Sequence, residues 1–149
     1  MTEVTIRRAR AADVDAIVAM LADDPLGATR ERPGDPHYAE AFAALDAEPH
    51  QLLAVAEAGG AVVGTLQLTF ISGLSRVGAT RAQIEAVRVR SDQRGAGLGQ
   101  RLVEWAIERA RERGCVMVQL TSDATRVDAH RFYERLGFTA SHVGLKLAL

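Results

Sequence analysis

A chain of 149 residues, 48% hydrophobic and 25% charged, is sized for one domain over 1–149 whose core buries roughly two thirds of the unfolded surface. Its formal net charge of −1, with no basic block, removes the usual electrostatic case for nucleic acid or an anionic membrane. Cys115 is the single cysteine, so no intramolecular disulfide can form; the opening Met1-Thr2-Glu3-Val4 lacks a basic-then-apolar segment, no apolar run reaches membrane-spanning length, and a cytoplasmic protein is the expectation.

Val4 to Arg8 alternates as a strand, and Ala11 to Ala22 puts Val14, Ile17, Val18 and Leu21 at helical spacing. From Asp24 to Pro36 the periodicity stops: Pro25, Pro33 and Pro36 fall there with Gly27 and Gly34, which predicts a long loop, either one mobile until it orders over a ligand or a tolerated surface insertion. A helix over Tyr38 to Ala47 follows. Gln51 to Glu57 and Ala61 to Phe70 read as strands joined across Gly59-Gly60. Ala82 to Arg90 is a further strand, Gly97 to Arg113 a helix with one apolar face, Val116 to Thr121 a strand, Val127 to Leu136 a helix, and Phe138 to Leu147 one or two closing strands. The strands before and after the long helix are joined by a crossover and should lie parallel. The fold class is a mixed-sheet α/β or α+β domain.

The run Arg94-Gly95-Ala96-Gly97-Leu98-Gly99-Gln100 joins the end of a strand to the start of that helix. Closely spaced glycines let main-chain N–H groups turn outward, and a helix start adds unpaired donors and its positive dipole end, a combination suited to phosphate or pyrophosphate. Two common anion loops do not fit. The dinucleotide fingerprint needs glycine where Gln100 stands, and the phosphate loop of nucleotide hydrolases needs a Gly-Lys-Ser/Thr ending, whereas Lys146 is the only lysine. The run resembles motif A of the GNAT N-acyltransferase superfamily, Q/R-x-x-G-x-G/A. A second segment, Ala129-His130-Arg131-Phe132-Tyr133-Glu134-Arg135-Leu136-Gly137-Phe138, resembles that family's A-x-x-F-Y-x-x-x-G-F signature.

The resemblance covers essentially the whole chain and implies a GNAT fold, in which two central parallel strands splay apart and acetyl-CoA, the cosubstrate, inserts its pantetheine arm between them. It assigns the pyrophosphate to Arg94, Gly95, Ala96, Gly97, Leu98, Gly99 and Gln100. Main-chain groups of Val87, Arg88 and Val89 take the pantetheine, and strand addition needs no distinctive side chains for this. Family members often have Asn where this chain has Arg126, which makes Arg126 a candidate cofactor contact or a solvated arginine at a helix start.

Transfer to an amine requires a base, because an amine with a pKa near ~10.4 is protonated at neutral pH. Glu85 is the sole carboxylate on its strand and stands where family members often carry a glutamate; an exposed strand carboxylate is the plain alternative. By position Tyr133 takes the family's general-acid role, and a main-chain N–H near Val87 is the family-like oxyanion donor. Cys115 reads as a small buried hydrophobe and not an acyl-carrying nucleophile. His37, His50, His130 and His142 lack metal-ligand spacing, so no metal is expected. Trp105 and Phe132 read as core, while Tyr38 and Phe70 have a conceivable substrate-facing role. Arg30, Arg32, Arg76 and Arg81 lie in loops that would border an acceptor pocket and suit phosphonate or carboxylate, although for each one singly a solvated loop arginine is the favoured reading.

The chain's C-terminal half resembles the aminoalkylphosphonate N-acetyltransferase branch. The favoured expectation is an acetyl-CoA-dependent N-acetyltransferase acting on a small-molecule amine in a ternary complex, with no nucleic-acid or membrane partner and a homodimer left open. A protein or peptide amine acetyltransferase and a non-catalytic acyl-CoA-binding module are the alternatives; the presence of both Glu85 and Tyr133 favours chemistry.

Overall fold

The computed structural model describes residues 3–149; Met1 and Thr2, part of the opening stretch scanned for a leader, lie outside it. The chain divides into two compact units, Met1–Gln119 and Leu120–Leu149. Strands β1 (Val4–Arg8), β2 (Gln51–Ala58), β3 (Ala61–Ser72), β4 (Thr80–Val89) and β5 (Val118–Leu120) form one sheet in sequence order. The first four are antiparallel neighbours. β5 instead runs with β4: Val116 N–H donates to Thr80 O at 2.9 Å, Ala82 N–H to Met117 O at 3.0 Å, and Gln119 Nε2 to Gln83 Oε1 at 3.0 Å. This is the parallel pairing that the crossover demands.

The helices of the first unit are α1 (Val14–Ala22), preceded by a 3-10 turn at Ala11–Asp13, α2 (Gly27–Arg30), α3 (His37–Ala47), a single turn α4 (Ser75–Gly78) and α5 (Leu98–Glu112); the second unit carries α6 (Val127–Arg135). Helix α5 buries Leu98, Leu102, Val103, Ala106 and Ala110, as its 3.6-residue apolar stripe requires. Opposite it, Ala54, Ala56, Leu66, Leu68 and Ile84 are at most 1% exposed; each fully buried Leu or Ile contributes roughly 1.5–3 kcal/mol. A Cβ on Gly64 would stand 3.0 Å from Leu102 Cδ1, so glycine there admits the helix. On the other sheet face Ala9, Ile17 and Val55 form a second cluster with Leu21, Phe42 and Leu53.

The loop expected over Asp24 to Pro36 is more organised than its prolines suggested. Asp24 Oδ1 accepts the Gly27 N–H at 2.5 Å, and Gly27 is buried so tightly that a Cβ would stand 1.8 Å from Leu21 O. Asp24 also lies 2.9 Å from Arg88 Nε on β4. Further on, the Tyr38 hydroxyl accepts the Arg32 N–H at 2.9 Å and donates to Glu31 Oε1 at 2.9 Å. These contacts supply the fixed points that sequence periodicity could not.

In the second unit the expected closing strands over Phe138 to Leu147 are absent: 138–149 carry neither helix nor strand. Val143, Leu145 and Leu147 alternate as a strand face would but are 86–91% exposed. Alternation signals a strand only where a sheet edge and an apolar surface receive it, and without burial nothing offsets the ordering entropy. No helix among the described residues is long and apolar enough to cross a membrane.

Candidate active site

The glycine run forms a tight turn between β4 and α5. Gly95 and Gly97 have φ of 85° and 82°, left-handed values that L side chains rarely adopt, and Gly97 is the residue preceding the helix. A Cβ at either position would meet no protein atom within 4 Å, so the turn's outer side is open. Arg94 Nε donates to Val89 O at 3.2 Å and ties the turn back to β4. An open glycine turn feeding a 15-residue helix fits a diphosphate, and the turn and the first helical residues are those of the run Arg94 to Gln100.

A feature that sequence did not disclose lies just upstream. The β3–β4 register passes from Thr65↔Arg88 to Gln67↔Glu85, so Ala86 and Val87 together face Leu66. This is a β-bulge, with Ala86 in the left-handed region at φ 54°. A non-glycine residue held there inside a strand costs of order 1 kcal/mol and marks a place where the chain is re-aimed. β5 ends at Leu120, one residue past the Gln83–Gln119 side-chain pair, so on that edge Val87, Arg88 and Val89 lie beyond the end of β5, while on the other edge Arg88 and Val89 remain paired with β3.

Before the bulge, β4 alternates strictly. Ala82 and Ile84 are buried with Leu68 and Phe70 beneath α5, which places Arg81, Gln83 and Glu85 on the opposite face. There they meet a polar row. Gln67 Nε2 and Thr69 Oγ1 each donate to Gln51 Oε1 at 3.0 Å, Thr69 Oγ1 stands 3.5 Å from Glu85 Oε1, and Gln119 donates to Gln83. Glu85 is exposed, and Arg81 is half-buried. The polar–apolar alternation Thr65-Leu66-Gln67-Leu68-Thr69-Phe70 was the available signal for this row, though only register shows that its members converge.

Phe70 has no substrate-facing role: it is 5% exposed on the α5 side, under the guanidinium of Arg113 at 4.2 Å. Even alternation with Thr69 sends it to the opposite face. Tyr38 holds the Glu31–Arg32 segment through its hydroxyl. Arg30 pairs with Glu31 at 3.5 Å, Arg32 is exposed, and Arg76 lies on the exposed left-handed turn α4. Burial pushes the Cys115 thiol up, which keeps it neutral and consistent with a packing role. A concavity of about 500 Å³ between α1 and the Pro33–Phe42 segment touches neither Glu85 nor the glycine turn.

In the second unit Tyr133 lies on α6, half-buried, with its ring edge-on to Phe132 at 5.0 Å and Phe138 at 5.7 Å. Two ring neighbours orient the phenol. Arg126 is exposed at the start of α6, its N–H donating to Asp123 O at 3.0 Å.

The family model of the acetyltransferase (GNAT) family matches residues 15–138. The chain belongs to that family and is an acyltransferase. It is 29% identical over 144 residues to an aminoalkylphosphonate N-acetyltransferase of Salmonella typhimurium, covering 97% of this chain and 90% of that protein. It is 35% identical to an L-methionine sulfoximine/L-methionine sulfone acetyltransferase of Pseudomonas paraeruginosa, over 92% of this chain and 81% of the relative. Among solved structures, one described as a transcriptional regulator from Bacillus halodurans superposes with a TM-score of 0.95 at 51% identity, covering 99% of this chain and 100% of the other.

Proposed function

We propose that this chain is a single-domain N-acetyltransferase that moves the acetyl group of acetyl-CoA to the primary amine of a small molecule within a ternary complex. Acetyl-CoA supplies a thioester carbonyl open to attack and a thiolate leaving group. Its diphosphate is held by the outward N–H groups from Gly95 to Gln100, and its pantetheine by main-chain groups of Val87, Arg88 and Val89. The observation that carries the reading is the bulge at Ala86 upstream of the open glycine turn, because β5 has ended alongside this part of β4 and the outer side of the turn is unobstructed.

The residues divide the work by chemistry. Glu85 accepts a proton from the incoming ammonium, directly or through water, which exposes the nitrogen lone pair. The Val87 N–H, beside the bulge, stabilises developing negative charge on the carbonyl oxygen. Tyr133 donates a proton to the departing sulfur. Arg126 is a weaker contact, since its side chain is exposed. The acetyl-CoA chemistry typical of the family, and relatives named for small acceptors, support acetyl transfer to a small molecule.

Thiol release from acetyl-CoA, measured against panels of amines, amino acids, aminophosphonates and peptides, tests the proposal. Release with small amines in both wild type and Cys115→Ala supports direct transfer. Release with peptides alone replaces the small acceptor by a protein amine, and acetyl-CoA binding without release with any acceptor reduces the chain to a binding module.

A further inference from the structure

The face of β4 that carries Glu85 holds charges of both signs. Arg81, Gln83 and Glu85 share that face by alternation, four residues from end to end, or about 13 Å along a strand. Glu85 stands at the bulge, next to the main-chain donors. Arg81 lies toward the strand's other end, half-buried, and its guanidinium has no hydrogen bond or ion pair with any other described side chain. The interval between them is uncharged. Gln51, Gln67 and Thr69 are joined through the Gln51 carbonyl oxygen on one side, and Gln83 is joined to Gln119 on the other. Such a strip offers donors and acceptors without competing for either end of a dipolar molecule.

Building on the acetyltransferase reading, we propose that this face recognises a zwitterionic acceptor, an amine that also bears an oxyanion, with the ammonium at Glu85 and the oxyanion at Arg81. The order follows from the chemistry. The amine must reach the base at the bulge; Arg88, on the same face beyond the bulge, is paired with Asp24 at 2.9 Å, so the anion is directed the other way along β4 toward Arg81. A guanidinium matches either carboxylate or phosphonate oxygens through paired N–H donors, and it stays charged at every working pH. Its long stem shortens the interval when it leans along the strand, so acceptors with several bonds between amine and anion are accommodated. Arg81 is then a specificity-determining residue, and the amides between the charges contact the acceptor's backbone.

The test uses matched acceptors on the full chain: an aminoalkylphosphonate, an amino carboxylate and the plain alkylamine of equal chain length, with a diamine as the cationic counterpart. For each, kcat and KM come from thiol release. In wild type, kcat/KM for an anionic acceptor should exceed that for the plain amine, and Arg81→Gln should lower this ratio about tenfold or more, chiefly through KM, as loss of a charge-assisted bond predicts. Arg81→Lys should restore part of it, and Arg81→Glu should shift preference toward the diamine, a gain that misfolding cannot produce. The larger of the phosphonate and carboxylate ratios identifies the oxyanion. Equal ratios in wild type and Arg81→Gln overturn the assignment while leaving the acetyltransferase reading intact. Failure of wild type to release thiol with every acceptor, plain amine included, overturns both.

Discussion

Two arginines in the first unit show how differently the same side chain is used. Arg7 on β1 is closed off: its guanidinium donates to Asp13 Oδ2 and Oδ1 at 2.8 and 3.1 Å and to Glu57 Oε2 at 3.0 Å, and the Arg7 and Asp13 side chains are only 17% and 9% exposed. Asp13 also accepts the Arg10 N–H at 2.7 Å, so it fixes the entry to α1. Arg81 on β4 has no such partners. Where charges serve the fold, donors and acceptors are matched within the chain. Where one is left open on a sheet face, as Arg81 is, it is available to the acceptor proposed above.

The sharpest way to break that contrast is at the open end. Replacing Glu85 by Gln removes the proposed base without removing a buried contact, and Tyr133→Phe removes the proposed acid with little change in volume. Each should lower single-turnover acetyl transfer by ~100- to 10,000-fold, the usual worth of a positioned acid or base. Thermal stability should stay within about 0.5 kcal/mol for Glu85→Gln, as for an exposed substitution. Wild-type transfer rates in either variant would exclude that residue from proton transfer.

The closed end should respond in the opposite currency. Arg7→Met strands the carboxylates of Asp13 and Glu57 beside an apolar chain, and breaking a largely buried pair should cost about 3 kcal/mol. Denaturant unfolding measures this. Below the shifted melting temperature, kcat/KM for acetyl transfer should remain close to wild type; a catalytic defect in fully folded Arg7→Met would end the separation between the two regions.

Between these extremes lies the glycine turn. Gly97→Ala meets no neighbouring protein atom, so its cost is the left-handed backbone, about 1–2 kcal/mol. Calorimetric titration should show weaker acetyl-CoA binding as well, because the methyl group enters the space where the diphosphate would lie. Unchanged affinity would remove the turn from the cofactor site.

What could be read in advance followed the range of the interactions. The turn from Arg94 to Gly99 and the stripe of α5 were legible because their causes lie within a few residues: positive φ needs glycine, and one helical face needs apolar side chains. The bulge was not legible, because Ala86 holds a left-handed conformation with no glycine to announce it. The polar face was visible only in fragments, since Gln51, Thr69, Gln83 and Gln119 come from four strands and meet through register. The closing strands were over-read, because Val143, Leu145 and Leu147 have the right alternation and no surface to receive it.

Acid pH offers a milder test of the contrast. Hydrogen bonds from Arg7, with help from the Arg10 N–H, hold the Asp13 carboxyl below its usual range, and the Gly27 N–H with the nearby Arg88 guanidinium does the same for Asp24. A carboxyl whose folded-state pKa is depressed adds stability that is fully present above the unfolded value, about 3.9 for aspartate, and is lost as pH falls through the folded value. The melting temperature should therefore be nearly flat from neutrality to about pH 5 and fall below about pH 4, where the unfolded chain binds the protons that the folded one refuses. Asp13→Asn should be less stable at neutral pH yet show a shallower acid limb, because it has no proton left to take up at that position. Parallel limbs in wild type and variant would mean that the network around Arg7 does not set the acid response, and that the closed end is no more tightly coupled to protons than the open one.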